Sequence, residues 1–319
     1  MLASADITIY SFDMQKVING IISQIGSILL GKEYQIKLAL TCLFSRGHLL
    51  IQDLPGMGKT TLAHAIAKTL GLSYSRIQFT SDLLPADIIG VSVFDKNTAA
   101  FSFHPGPIFS QLVLADEINR TTPKTQSALL EAMEEQQVTA EGETRALPVP
   151  FFVIATQNPV TQTGTFPLPE SQLDRFLMRI ELGYPDPSAE RELYTGVSPR
   201  ELLKELGSAV SSEQLHQIQS SAEKVMTAGA ILDYVQRIVQ FTRTNPEFSY
   251  GVSPRGGLAL LRCAKTWAFI HGRAHVLPED VQAVMPSVLG HRLREIADFD
   301  DSSGYALVER VLNTIDVIG

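Results

Sequence analysis

Eight consecutive residues, Asp53-Leu54-Pro55-Gly56-Met57-Gly58-Lys59-Thr60, are of the types needed to hold a chain of phosphates. Gly56 and Gly58 let backbone N–H groups close around phosphate oxygens, Lys59 reaches the β and γ groups, and the Thr60 hydroxyl can ligate Mg²⁺. Thr61 then opens a helix whose N-terminal field favours an anion. One position departs from the strict GxxxxGK[ST] pattern, because Asp53 stands where the first glycine belongs. Asp is among the few non-glycine residues that tolerate a left-handed backbone, so the pattern still predicts a nucleoside triphosphate site.

Further polar groups fall where a triphosphate site needs them. The apolar run Gln111–Ala115 ends in Asp116-Glu117: Asp116 can hold Mg²⁺, and Glu117 can polarise a water for attack on the γ-phosphate. A second apolar run, Phe151–Ala155, leads into Thr156-Gln157-Asn158-Pro159. The Asn158 amide can bond the γ-phosphate or orient the attacking water; Asn before Pro is also a common turn former. Ser253-Pro254-Arg255 reads as N-cap, N1 and N2 of a helix, which sets a cation at the positive end of the dipole. That placement calls for an anion, either an external phosphate or a nearby Asp or Glu. Arg175, beside Asp174, is a candidate of the same kind, with an ion pair to Asp174 or another acid as the alternative. The histidines suggest no metal site: His271 and His275 are four apart, but Gly272-Arg273 lies between them at a helix end. Glu131, Glu134 and Glu135 read as a solvated helix face.

Positioning these groups requires alternating strands and helices. Strands are predicted at His48–Ile51, Tyr74–Phe79, Gln111–Ala115, Phe151–Ala155 and Phe176–Leu182, with helices at Thr61–Leu70 and Lys124–Glu135. That order implies an α/β fold with a five-stranded parallel sheet flanked by helices. Two helices precede it, over Ile18–Leu30 and through Ile36–Leu43. Val91–Phe103 and Val138–Pro150 read as hairpins with polar tips. After Tyr184-Pro185-Asp186-Pro187 every segment reads as helix, the first being Ser188–Leu206. The expected division is a nucleotide-binding core over 1–183 and a helical lid over 188–319.

Composition narrows the function classes. The net charge of −8 divides evenly, with 13 Lys and Arg against 17 Asp and Glu in residues 1–183 and the same in 184–319. Neither half is a basic nucleic-acid surface. Cys42 and Cys263 sit in apolar helical patterns and are expected to be reduced and buried. The N-terminal stretch lacks the pattern of an export signal, and Ile18–Leu30 is too short and polar to span a bilayer, which suits the cytoplasm.

Together these residues resemble the MoxR family of AAA+ ATPases. The resemblance rests on Asp53–Thr60, Gly106-Pro107-Ile108-Phe109, the long block Leu114–Arg120 with Lys124–Glu135, Ala155–Pro159, Phe166–Glu170, Gln172–Met178 and Ser253-Pro254-Arg255. It covers about residues 31 to 290 and is weakest over the first 30. In this family Asp often stands where the strict loop pattern has glycine. The resemblance implies a Walker A loop at Asp53–Thr60, Walker B at Asp116 and Glu117, sensor 1 at Asn158, an arginine finger at Arg175 and sensor 2 at Arg255, with Arg179 as a competitor for the finger. It further implies ATP and Mg²⁺ as ligands, an AAA+ core with a helical lid, and a homo-oligomeric, usually hexameric, ring. Chaperone-like remodelling or maturation of a protein client is the implied work, often with a partner carrying a von Willebrand factor A domain. The two hairpins resemble the helix-2 insert and pre-sensor-1 hairpin, which commonly face the ring's pore or substrate. Two rival functions stand beside this, a nucleic-acid motor and a nucleotide-gated scaffold that rarely hydrolyses ATP; the acidic balance argues against the first and the Asp116/Glu117 pair against the second.

Overall fold

A computed structural model of the chain describes residues 2–97, 99–158, 165–294 and 304–317. Two helices come first, α1 (Leu2–Gly26) and α2 (Glu33–Phe44). The alternating region follows: β1 (Leu49–Gln52), α3 (Lys59–Thr69), β2 (Tyr74–Gln78), the short α4 (Pro85–Ile89), β3 (Gly90–Asp95), β4 (Ala100–Pro105), β5 (Leu112–Asp116), α5 (Pro123–Glu135), β6 (Gln137–Ala140), β7 (Glu143–Ala146), β8 (Phe152–Gln157), α6 (Glu170–Leu173) and β9 (Met178–Ile180). Beyond β9 the described elements are all helices: α7 (Pro187–Thr195), α8 (Pro199–Glu205), α9 (Ser212–Glu223), α10 (Gly229–Thr244), α11 (Pro254–Ile270), α12 (Pro278–Leu289) and α13 (Gly304–Thr314).

Among the described residues the main sheet has five strands in the order β2-β5-β8-β1-β9, and every pairing is parallel. Alternation along the strands loads both faces. Leu49, Ile51, Leu112, Leu114, Phe152 and Ile154 join one apolar cluster with α1 to α3 and the C-terminal helices. Leu50, Val113, Ala115, Val153 and Ala155 join another with α5. Strands buried on both faces in this way are the mark of a parallel sheet. β3 with β4, and β6 with β7, form antiparallel hairpins outside it, as expected from their polar tips.

Two local expectations need correcting. Ser188–Leu206 is two helices, because Pro199 disfavours helical backbone at Ser198, which is extended (φ −59°, ψ 136°) and starts α8 with Pro199 in its first turn. β9 is shorter than Phe176–Leu182, since its one strand partner among the described residues, β1, pairs with Met178–Ile180 and no further. No helix among the described residues is long and apolar enough to cross a membrane. Cys42 and Cys263 are buried free thiols, and burial pushes Cys263 up to about 12.

The C-terminal helices are tied to the sheet by buried arginines. Arg292, just past α12, donates from Nε to Asp174 Oδ1 (2.7 Å) and from Nη2 to the Phe176 carbonyl (2.7 Å). Arg179 on β9 donates to Gln52 Oε1 (3.2 Å) and to the Gly290 carbonyl (3.3 Å).

Under the sheet, Val153 N–H donates to His48 Nδ1 (3.0 Å), so His48 Nε2–H must be the group facing the Met133 carbonyl (3.2 Å). Protonating Nδ1 would oppose one donor with another, and burial lowers the His48 pKa from 6.5 to about 4. The unfolded chain therefore takes up a proton that the folded chain refuses, and stability is lost as pH falls from about 6.5 towards 4. Buried His291, also held well below its ordinary value by burial, acts in the same direction. Urea unfolding is expected to show a loss of roughly 2 kcal/mol from His48 between about pH 7 and pH 5, and His48→Gln is expected to flatten that slope. An equal slope in both proteins would refute the assignment.

Candidate functional site

Parallel pairing puts the carboxyl ends of β1, β8 and β5 side by side, and the polar groups gather there. The loop after β1 turns through Gly56 (φ 86°) and Gly58 (φ 91°), a left-handed backbone that only glycine adopts without strain. Nothing lies within 4 Å of where a Gly56 side chain would start, so the loop opens onto free space. Gly58 is the N-cap of α3, which places Lys59, Thr60 and Thr61 in its first turn, two residues earlier than the apolar pattern indicates. Leu54, Pro55 and Gly56 are exposed, and Met57 packs partly against the core.

Asp53 does not use the left-handed backbone that its type permits, since it is absent from the positive-φ residues. Its carboxylate instead accepts three backbone N–H bonds: Oδ1 from Leu54 (2.7 Å), and Oδ2 from Leu182 (2.7 Å) and Gly183 (2.7 Å). Asp53 thus serves through its carboxylate, and its backbone makes no use of the left-handed region.

Lys59 is buried and reaches across the loop. Its Nζ donates to the carbonyls of Asp53 and Leu54 (3.2 Å for the latter) and to Asn158 Oδ1 (3.1 Å). Burial lowers its pKa, against the opposing pull of Asp53, Asp116 and Glu117. Asn158, directly after β8 and also buried, donates from Nδ2 to Glu117 Oε1 (2.9 Å). One amide thus bridges the ammonium of the loop and the carboxylate beyond β5, a contact that a simple turn former would not make. Pro159 lies outside the described residues.

Glu117 sits in the left-handed region (φ 57°, ψ 49°), a strained state for a non-glycine residue that turns the chain sharply after β5. Thr156 stabilises the turn from below, and sequence reading missed it. Its hydroxyl accepts from Glu117 N–H (2.8 Å) and donates to Asp116 Oδ1 (2.6 Å). Arg76 and Gln78 were also missed. They alternate on β2, where Gln78 pairs with Asp116 in register. Arg76 bonds Asp116 Oδ2 through Nε (3.1 Å) and Nη2 (2.6 Å), and Gln78 Nε2 donates to Glu117 Oε2 (3.2 Å). The period-2 spacing of Arg76 and Gln78 signals a shared face, but which strand lies beside β2 is not written in it. Arg120 adds a second bond to Glu117 Oε2 (2.9 Å).

Arg175 and Arg255 do not join this cluster. Both bond Glu134 on α5, Arg175 from Nε to Oε2 (2.8 Å) and Arg255 from Nη1 to Oε1 (3.2 Å). Glu134 is therefore a shared ion-pair partner and not simply part of a solvated face, and Arg175 chooses it over Asp174, which Arg292 occupies. Arg175 holds the Glu134 carboxyl below the usual carboxylate range. Ser253 caps α11 as its sequence suggests, accepting from Gly256 N–H (3.1 Å). The two arginines line a cleft of about 670 Å³ with Arg46, Arg262 and Lys265, which residues 53–60 do not line. Arg179 is buried and bonded inside the chain, with its guanidinium 5.1 Å from the Tyr305 ring.

Comparison with known proteins identifies the family. The model of the ATPase family associated with various cellular activities (AAA) matches residues 48–178, and that of the AAA lid domain matches residues 240–311. YeaC of Bacillus subtilis, an uncharacterized protein, is 42% identical over 310 residues, 97% of each chain. Chaperone MoxR1 of Mycobacterium tuberculosis is 39% identical over 307 residues, covering 92% of this chain and 80% of that one. The crystal structure of a candidate ATPase from Cytophaga hutchinsonii superposes with a TM-score of 0.88 at 36% identity, over 99% of this chain and 98% of that one. Because the likeness to MoxR1 runs through the sheet and the helices beyond it, and not through the phosphate loop alone, the chain belongs to the MoxR family of AAA+ ATPases.

Proposed function

We propose that this protein binds and hydrolyses ATP and uses the cycle for chaperone-like remodelling, maturation or activation of a protein complex. The observation that carries the reading is the bridge Lys59–Asn158–Glu117 at the carboxyl edge of the sheet. It brings a phosphate-binding cation, a polar amide and a carboxylate to one point, with the open Gly56–Gly58 loop beside them. In this reading Asp53–Thr61 hold the nucleotide, Glu117 takes the proton of the attacking water, and Asn158 keeps that carboxylate and the water aligned. Thr60 and Asp116 offer hard oxygen donors suited to Mg²⁺, which when bound neutralises phosphate charge. Residues 1–183 serve as the nucleotide-binding core and 188–319 as the lid.

Arg175 is the arginine finger, acting on the nucleotide of an adjacent copy in a homo-oligomeric, hexameric ring, and Arg255 beside it is sensor 2. Their shared position over Glu134, in a cleft that residues 53–60 do not line, supports action between subunits. Arg179, bonded to Gln52 and Gly290, has no face to offer a neighbour. A protein client is favoured over nucleic acid by the β3–β4 hairpin. Phe94 and Phe101 are half exposed or more and stack edge to face at its surface (5.4 Å), while Lys96 is the sole Lys or Arg between Gly90 and Pro105. Apolar side chains of this kind suit a polypeptide, whereas phosphate backbones require clustered cations. The relative named Chaperone MoxR1 is in keeping with this work. A partner with a von Willebrand factor A domain and a cytoplasmic location belong to the same proposal.

Glu117→Gln is expected to retain ATP binding and lose turnover by about 10²–10⁴-fold in a steady-state phosphate-release assay, and normal turnover would sink the assignment. Arg175→Ala and Lys59→Ala are each expected to be inactive alone yet to recover part of the activity when mixed, because a mixed interface pairs one intact loop with one intact finger. No recovery would mean that Arg175 does not act between subunits. Thr156→Val, which keeps the shape and removes both hydroxyl bonds, should cost about 1–3 kcal/mol in urea unfolding and also lower turnover.

A further inference from the structure

The carboxylate of Asp53 makes more bonds than its loop needs. A local turn would use the Leu54 N–H alone, yet Oδ2 also collects the N–H groups of Leu182 and Gly183, about 130 residues further along the chain. Those two amides lie between β9 and Tyr184-Pro185-Asp186-Pro187, the segment through which the chain enters the C-terminal helices. The same segment is held from two other sides. Lys32, a buried residue ahead of α2, donates from Nζ to the Tyr184 carbonyl (2.5 Å), and Asp186 caps α7 by accepting from Ser188 (2.9 Å) and Ala189 (2.9 Å). Lys32 also lies close enough to Asp53 and Asp186 for both to raise its pKa against the lowering effect of burial. On its other side, Asp53 offers its backbone carbonyl to Lys59 Nζ, the ammonium that faces the phosphates in the reading above.

We propose that Asp53 is a positioning residue that couples occupancy of the phosphate loop to the linker between the sheet and the C-terminal helices. The inference rests on the ATP reading of the preceding section. When Lys59 leaves the Asp53 and Leu54 carbonyls for phosphate oxygens, the loop relaxes around Asp53, and the charge-assisted bonds to Leu182 and Gly183 carry that displacement into the linker. Bonds from N–H groups to a carboxylate are roughly twice as strong as neutral ones, which suits them to transmit a movement that water-filled contacts would absorb. A glycine at this position would fit the strict loop pattern and leave the two linker amides without their acceptor. The departure from the pattern is then the coupling element itself.

Hydrogen exchange of the full chain, read by mass spectrometry on peptides covering residues 53–62 and 181–187, tests this with Asp53→Gly and Asp53→Asn, each with and without a saturating non-hydrolysable ATP analogue. Without nucleotide, the 181–187 peptide of Asp53→Gly is expected to exchange about tenfold faster at the two amides. Asp53→Asn should be intermediate, because its amide oxygen still accepts while its NH₂ opposes a donor. In the unvaried protein the analogue is expected to change exchange in both peptides; in Asp53→Gly the 53–62 peptide still responds and the 181–187 peptide does not. Unchanged linker exchange in both variants, or a linker response to nucleotide that survives in Asp53→Gly, overturns the proposal. A 53–62 peptide that ignores the analogue in the unvaried protein instead removes the ATP reading and the coupling with it, so the two failures appear in different peptides.

Discussion

Parallel pairing of three strands buried on both faces, β5, β8 and β1, is the constraint on which the rest of the molecule depends. Because all three run the same way, their carboxyl ends share one edge, and whatever follows each strand is delivered to a common point. After β1 comes the glycine loop, after β5 the Asp116-Glu117 pair, and after β8 Asn158. The apolar alternation along these strands locks their register, since a slip by one residue would turn each face towards the wrong cluster. The strained backbone at Glu117 is tolerated because the neighbouring strand supplies Thr156 to hold both acids.

The charges of the cluster are matched within the protein. Lys59 finds three oxygen acceptors, Asp116 has Arg76 and Thr156, and Glu117 has Asn158, Gln78 and Arg120. Buried charge without a partner is costly, so under the proposed function a phosphate chain would exchange with these contacts. Differential binding of this kind is what allows a ligand to shift a conformational equilibrium. The carbonyls that Lys59 would give up belong to Asp53 and Leu54, at the start of the loop and next to the bonds that lead to the linker.

A second polar region lies apart from the first. Glu134 gathers Arg175 and Arg255 from different parts of the chain, while Arg292 and Arg179 lock the C-terminal helices against residues near β9. The exposed pairs are adjustable, because solvent screens them and each is worth only about 0–1 kcal/mol. The buried arginines are different in kind: Arg292 spends its donors on backbone carbonyls and Asp174, where their loss would leave unsatisfied groups inside the protein. The Glu134 pairs are thus the weaker contacts, and those at the seam beside β9 the stronger.

Much of this was legible in the residues alone. Glycine spacing, strand alternation and capping residues are local signals, so the loop 53–60, the parallel α/β order, both hairpins and the cap at Ser253 could be read directly. Contacts between segments distant in sequence were not legible, because side-chain type records what a residue can bond and not what folding brings to it. Arg76 and Gln78 share a face by their spacing, yet only the strand order β2-β5 aims them at Asp116 and Glu117. Arg175 could have paired with several acids, and the packing of α5 and α11 chose Glu134. Asp53 marks the division most clearly: that a carboxylate stands where the loop pattern has glycine is plain in the residues, whereas its partners, the amides of Leu182 and Gly183, follow from the chain's return past that loop after β9.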